Sequence, residues 1–135
     1  MPYLSGISRE RLLTCDDRLI RIAREVIRVY DFTVVDGHRT PAEQAALYAR
    51  GRTVPGDVVT WTMTSPHNHE PSLAFDFCPW TPGVGLDWSN TRQFFKIAGA
   101  FLYVAGLYEY PVTWAGDATG DYSADIGHLQ IQPLN

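Results

Sequence analysis

The sequence predicts an α+β fold, with helices packed on one side of a small antiparallel sheet. Segments with apolar residues at helical spacing alternate with short apolar, β-branched runs, and both types are bounded by glycine, proline or capping residues. The order along the chain is helix, strand, helix, strand, helix, strand, strand, which suits helices gathered beside such a sheet. The 135 residues are enough to build one core, so we expect a single domain over residues 1–135.

Helices are predicted where apolar residues recur at helical spacing after a capping residue. The clearest start is at Thr40, which suits the N-cap, with Pro41 at the first helical position and Glu43 completing a capping box. The predicted helical segments are a short turn at Ser8–Leu13, helices at Asp16–Tyr30 and Thr40–Arg50, and a helix capped by Ser89 or Asn90 that runs through Ala105.

Strands are predicted from short apolar runs between turn signals. They are Phe32–Val35, Leu73–Cys78, Tyr110–Trp114 and Leu129–Gln132. The stretch 52–72 holds several prolines and a glycine and is predicted to be a long loop, a kind of segment that is often functional in compact domains. Ala115–Asp125 is predicted to be a polar turn between the last two strands.

Charge and composition exclude several classes of function. The formal net charge of -4 argues against a nucleic-acid binder, and no segment approaches the ~20 apolar residues of a membrane span. The first residues lack the basic and apolar regions of a signal peptide, so we expect synthesis in a cytoplasm. Cys15 and Cys78 are expected to be buried thiols, with a single disulfide as the alternative.

Asp76 is an informative polar residue because it lies within an apolar run. A carboxylate buried there requires a charged partner or a metal ion. Side chains alternate along a strand, so Asp76 shares one face with Ala74 and Cys78, while Phe75 and Phe77 take the other face. The competing interpretation is a strand-end aspartate paired with an arginine.

Two histidines and a second acid accompany Asp76. Six residues separate His69 from Asp76, and His128 begins the last predicted strand. Two imidazoles and a carboxylate are a common ligand set for catalytic zinc. Asp125 is a candidate to take a proton from water, or is simply a turn residue. Arg39 is either a cation that faces the same cleft and binds a carboxylate or oxyanion, or a surface arginine.

Four segments in order carry a family resemblance. They are Asp31–Thr40 followed by Glu43-Gln44, then His69–Asp76, Trp114–Asp117 and Asp125–His128. They resemble a strand with Gly-x-Arg-Thr and a Glu-Gln helix, a His-x-x-Gly-x-Ala-x-Asp motif, a Gly-Gly-Asp turn and an acid-x-x-His motif. These motifs are typical of the zinc D-Ala-D-Ala carboxypeptidases and L-alanyl-D-glutamate endopeptidases, the VanY-like or LAS peptidases. The resemblance covers nearly the whole chain and is closest to the small phage endolysins.

The resemblance implies a hedgehog/DD-peptidase-like fold and a role for each matching residue. His69, Asp76 and His128 match the family's zinc ligands. Asp125 matches the acid that serves as general base and then as proton donor to the leaving amine, and Arg39 matches the arginine that stabilises the oxyanion or positions the substrate. The candidate substrate contacts are Ser65, His67, Gln44 and Trp114.

The first histidine ligand has two candidates. His69 keeps the family's register to Asp76, whereas His67 stands where the family usually has Ser, two residues before the ligand. Ser65 lies just upstream, and Ser72 replaces the family's Gly. The register favours His69, in which case His67 is a hydrogen-bond partner of a ligand or a substrate contact.

The set of ligands, acid and arginine predicts a zinc peptidase that acts on peptidoglycan stem peptides. The expected bond is L-Ala–D-Glu, and removal of terminal D-Ala by a D,D- or L,D-carboxypeptidase is the alternative. A module that kept the fold and the metal without catalysis is a second alternative, and the presence of Asp125 argues against it. We expect a monomer that is made in a host cytoplasm and acts on the cell wall after holin-dependent release.

Overall fold

A computed structural model describes residues 2–119 and 125–134 of the chain. Across these residues the helices are α1 (Gly6–Leu12), α2 (Asp17–Val26), α3 (Pro41–Ala49), α4 (Thr91–Leu107) and α5 (Ala115–Thr119), and the strands are β1 (Phe32–Asp36), β2 (Ala74–Thr81), β3 (Gly85–Leu86), β4 (Val112–Trp114) and β5 (His128–Ile131). The strands form an antiparallel sheet in the order β1-β2-β5-β4, and β3 pairs with the end of β2. The predicted α+β class with a small antiparallel sheet is confirmed.

One face of the sheet is apolar and carries the core. Phe75 and Phe77 of β2 are fully buried and meet Phe101 of α4 edge-on, with ring centroids 5.4 and 5.1 Å apart. The helix α2 joins the same core through Leu19 and Ile22, so α2 and α4 lie on this side as predicted. The alternation predicted for β2 is therefore confirmed, and Asp76 lies on the opposite face with Ala74 and Cys78.

The helix α1 protects the edge of the sheet. The backbone N–H of Val34 donates to Ser8 Oγ at 3.0 Å, and Arg11 Nη1 donates to the carbonyl of Val34 at 3.0 Å. These bonds occupy the outer side of β1, which would otherwise expose unpaired backbone groups. The Ser8 hydroxyl therefore accepts a hydrogen bond from β1, and the N-cap of α1 is Ser5.

Other predicted boundaries hold with adjustments. Thr40 and Glu43 form the predicted capping box, and Asn90 caps α4. The helix α2 ends at Val26 rather than Tyr30. The strand β2 extends to Thr81 because Pro79 still pairs with Phe32 of β1.

The predicted turn Ala115–Asp125 begins instead with the short helix α5, and residues 120–124 lie outside the described residues. Cys15 and Cys78 are free, buried thiols, as predicted, and desolvation raises the pKa of Cys15 to about 12. In the described part of the chain no helix is both long and apolar enough to cross a membrane.

Gly37 follows β1 and lies close to the end of α1. This close approach predicts that a side chain at position 37 destabilises the fold. A Cβ at Gly37 would collide with the carbonyl oxygen of Arg11 and lie 2.6 Å from Thr14 Oγ1. We expect Gly37→Ala to lower the free energy of unfolding by about 1–3 kcal/mol in urea titrations.

Gly99 provides the matched control because it lies within α4 with open space around its missing Cβ. Gly99→Ala should raise the free energy of unfolding by up to about 1 kcal/mol, since alanine favours a helix more than glycine does. A Gly37→Ala variant as stable as the wild type would contradict the close approach of α1.

Candidate functional site

The face of the sheet opposite Phe75 and Phe77 carries a cluster of three side chains, Asp76, His67 and His128. Asp76 on β2 stands directly opposite His128 on β5, and His67 comes from the 3-10 turn Pro66–Asn68. The distance from Asp76 Oδ1 is 3.0 Å to His128 Nδ1 and 3.2 Å to His67 Nε2. One nitrogen or oxygen from each of the three residues lies within 4.8 Å of the others, a group able to hold a metal ion.

The loop before β2 is built to hold His67 in place. Ser65 caps the 3-10 turn by accepting a hydrogen bond from the backbone N–H of His67, and its own N–H donates to Asn68 Oδ1. Asn68 Nδ2 also donates to the carbonyl of Arg39 at 2.7 Å, which ties the turn to the end of β1. The turn leaves His67 only 2% exposed, with its imidazole inside the fold.

The outward nitrogens of both imidazoles are already engaged. His67 Nδ1 donates to the carbonyl oxygen of Gly37 at 2.7 Å, because a carbonyl can only accept. His128 Nε2 lies 2.9 Å from the side-chain Oε1 of Gln130, which likewise accepts. In neutral imidazoles this leaves a bare lone pair on each inward nitrogen, facing the Asp76 carboxylate. Three electron-rich atoms that point at one another require a cation between them.

The ionisation of Asp76 and His128 indicates the same demand for positive charge. Burial opposes the ionisation of Asp76, but the hydrogen bonds from His128 and His67 outweigh it and hold its pKa well below the usual range. Burial also disfavours charge on His128, but its bond to Asp76 reverses that effect and raises the pKa of His128. Without a metal ion, protons on the imidazoles would have to supply the positive charge that a metal ion would otherwise carry.

The structure does not bring His69, the expected first ligand, into this group and places His67 there instead. His69 follows the 3-10 turn, its side chain is exposed, and its Nδ1 lies 2.9 Å from the carbonyl of Pro71. His67 reaches the cluster because the turn folds it inward, so eight residues rather than six separate the histidine from Asp76. Ser65 then stands two residues before His67, which matches the family's usual serine.

Arg39 lies beside the same cluster and is held from two sides. Its Nε and Nη2 both donate to Asp36 Oδ2, at 3.1 and 2.5 Å. Its Nη1 donates to Gln44 Oε1 at 2.7 Å, and its Nη2 lies 3.7 Å from Asp76 Oδ2. Arg39 thus places the expected cation beside the cluster. Its ion pair with Asp76, at 3.7 Å, also matches the alternative interpretation of an aspartate paired with an arginine.

Gln44, predicted as a substrate contact, has a different position. It is fully buried and does not line the cleft, because Arg39 and the carbonyl of Thr62 occupy its amide. Two further site residues were missed from the sequence, Asp36 and Gln130. Asp36 pairs in register with Asp76, and Gln130 lies two residues along β5 from His128 on the same face, so strand alternation was the signal for both.

A cleft of about 450 Å³ opens over the cluster. Its lining includes Asp36, Arg39, Leu47, Val59, Thr60, Thr62, Ser65, Pro66, His67, Asp76, Ala115, Asp125 and His128. Desolvation and the neighbouring charge of Asp76 raise the pKa of Asp125, which makes its carboxylate a stronger base. Asp125, Arg39, Ser65 and His67 therefore face the cleft where the sequence placed a catalytic site.

Trp114 lies outside the residues that line the cleft. Its ring packs edge-on against Phe95 with centroids 5.3 Å apart and lies beneath Gly116, where no Cβ would fit. Its Nε1 donates to the carbonyl of Ile126 at 2.7 Å, two residues before His128. This placement supports the backbone leading to His128 rather than contact with a substrate.

Residues 2–131 match the model of the phage L-alanyl-D-glutamate peptidase family. The chain belongs to this family. The match confirms the predicted family and, with it, the prediction of a peptidase of the L-alanyl-D-glutamate type.

Two known proteins are similar to this chain. The L-alanyl-D-glutamate peptidase of Escherichia phage T5 is 29% identical over 135 aligned residues, covering 92% of this chain and 93% of that protein. The crystal structure of the Serratia marcescens L-Ala D-Glu endopeptidase ChiX superposes with a TM-score of 0.75 at 24% identity, over 96% of this chain and 89% of that one. This second likeness shows a shared fold.

The placement of the two histidines predicts opposite results for two alanine variants. His67→Ala should lower the affinity for Zn²⁺ at least about a hundredfold in calorimetric titrations, because it removes one of the three groups that together could hold the ion. His69→Ala is the matched control and should bind zinc as the wild type does, since its ring lies outside the group. The reverse order of affinities would restore His69 as the ligand.

Proposed function

We propose that this chain is a zinc-dependent peptidase that hydrolyses the L-Ala–D-Glu bond of peptidoglycan stem peptides, with His67, Asp76 and His128 as the zinc ligands. The observation that carries the proposal is the convergence of these three groups in a cleft that also contains Asp125 and Arg39. Membership of the L-alanyl-D-glutamate peptidase family supports L-Ala–D-Glu as the bond that is cut. The two imidazoles and one carboxylate support zinc as the metal.

The residues fit zinc by their chemistry. Two imidazole nitrogens and one carboxylate oxygen are the ligand set of many catalytic zinc sites, and the outward bonds of His67 and His128 fix the nitrogens that would bind. A zinc ion held there would act as a Lewis acid that polarises the scissile carbonyl and makes a water molecule more acidic.

Asp125 is the proposed proton carrier. Its carboxylate faces the cleft, is not a member of the three-residue group and has a raised pKa, so it can accept a proton from the attacking water. The same group can return that proton to the amine of D-Glu as the peptide bond breaks. Gly127 donates its backbone N–H to Asp125 Oδ1 at 3.3 Å, which orients the carboxylate.

Arg39 is the proposed partner of the developing oxyanion. Three of its five N–H groups are used by Asp36 and Gln44, which leaves one proton on Nη1 and one on Nη2, the latter nitrogen lying 3.7 Å from Asp76 Oδ2. Because both anchors hold the guanidinium in place, its charge needs no rearrangement when negative charge develops on the substrate oxygen.

Release from a host cytoplasm through a holin, action on the wall and a monomeric state remain predictions. They do not enter the chemistry of the site.

Digestion of purified peptidoglycan, followed by mass spectrometry of the products, tests the proposed function. The zinc-loaded protein should release new D-Glu amino termini, chelation should stop the release, and added zinc should restore it. Asp125→Asn should lower kcat at least about a hundredfold while retaining zinc, because general acid–base catalysis is worth 10²–10⁴.

The control is Asp17→Asn, an exposed aspartate in the first turn of α2 that should leave the rate unchanged. The absence of new amino termini from zinc-loaded wild-type protein would overturn the proposal. Cleavage at terminal D-Ala alone would replace it with the carboxypeptidase alternative.

A further inference from the structure

Trp61 is a large apolar side chain held almost completely in solvent at the rim of the cleft. The residue is 84% exposed. Thr60 and Thr62, its neighbours on both sides, line the cleft together with His67 and Asp76. Trp61 therefore stands between two residues that line the cleft, at the rim of the cleft and not on a remote surface.

The backbone that presents Trp61 is braced. Gln44 Nε2 donates to the carbonyl of Thr62 at 2.8 Å and lies 3.4 Å from Thr60 Oγ1, so one buried side chain holds the position on each side of the tryptophan. The same Gln44 accepts from Arg39. The side-chain amide of Gln44 thus links the backbone around Trp61 to Arg39 by hydrogen bonds.

The indole ring also has a fixed neighbour. The Arg52 guanidinium lies 3.9 Å over the ring centroid of Tyr48 and 5.4 Å from that of Trp61. Arg52 Nη1 donates to the carbonyl of Tyr48 at 2.7 Å, which anchors the cation to the end of α3. The cation approaches the indole from one side, and the exposed remainder of the ring is available to a ligand.

The proposed substrate places a sugar close to the bond that is cut. In peptidoglycan the amine of L-Ala is joined directly to the lactyl group of N-acetylmuramic acid, and the scissile carbonyl belongs to that same L-Ala. One residue spans at most about 3.6 Å, so the muramic acid begins within roughly 7 Å of the bond that is cut. The C–H bonds of a sugar ring present positive hydrogen atoms, which suit the negative face of an indole.

We propose that Trp61 stacks on the N-acetylmuramic acid ring that carries the scissile peptide, so that the enzyme favours muramoyl peptides over free stem peptides. This inference rests on the proposed L-Ala–D-Glu cleavage, because cutting at terminal D-Ala would leave the sugar several residues away.

Two synthetic substrates test the stacking: N-acetylmuramoyl-L-Ala-D-Glu-L-Lys and the same tripeptide carrying only an acetyl group on L-Ala. Trp61→Ala should lower kcat/KM for the muramoyl peptide about tenfold and for the acetyl peptide less than twofold. Trp61→Phe should recover most of the loss, since phenylalanine keeps an aromatic face.

The matched control is Trp88→Ala. Trp88 is also exposed, at 58%, but its ring packs near Phe94, and neither of its chain neighbours, Asp87 and Ser89, lines the cleft. This variant should cleave both peptides as the wild type does.

The possible failures are distinguishable. An equal loss on both peptides, or no loss on either, would overturn the stacking and leave the proposed function in place. Wild-type zinc-loaded protein that cleaves neither peptide would overturn the proposed function, and the stacking inference with it.

Discussion

The carboxylate of Asp76 is buried in the middle of the sheet, and the groups around it are arranged to compensate its charge. His128 and His67 approach Oδ1, and Arg39 approaches Oδ2. A carboxylate in this position is costly without such partners. The strand that carries it also carries Phe75 and Phe77 on its reverse face, so the core that stabilises the fold fixes the position of the site.

A small number of hydrogen bonds from surrounding residues hold the side chains of the site in place. The carbonyl of Gly37 orients His67, Gln130 orients His128, and Asp36 with Gln44 holds Arg39. Each of these partners lies on an element packed into the fold or directly after one. A site built in this way is held in shape before a metal or a substrate arrives, which is what electrostatic catalysis requires.

Elements with strong local signals were predictable from the sequence. The capping box at Thr40 and the alternation around Asp76 were both found, because each depends on nearby residues. The choice between His67 and His69 depended on a 3-10 turn whose inward bend no periodicity reveals. The burial of Gln44 could not be foreseen either, because its partner Thr62 comes from a long loop whose path is set by tertiary contacts.

Diffraction from crystals of the zinc-loaded protein, recorded at the zinc absorption edge, tests the central claim most directly. We predict one strong anomalous peak at about 2.0–2.2 Å from His67 Nε2, a carboxylate oxygen of Asp76 and His128 Nδ1. A peak bound to His69, or a fully loaded crystal with no peak beside Asp76, would contradict the assignment of the metal site.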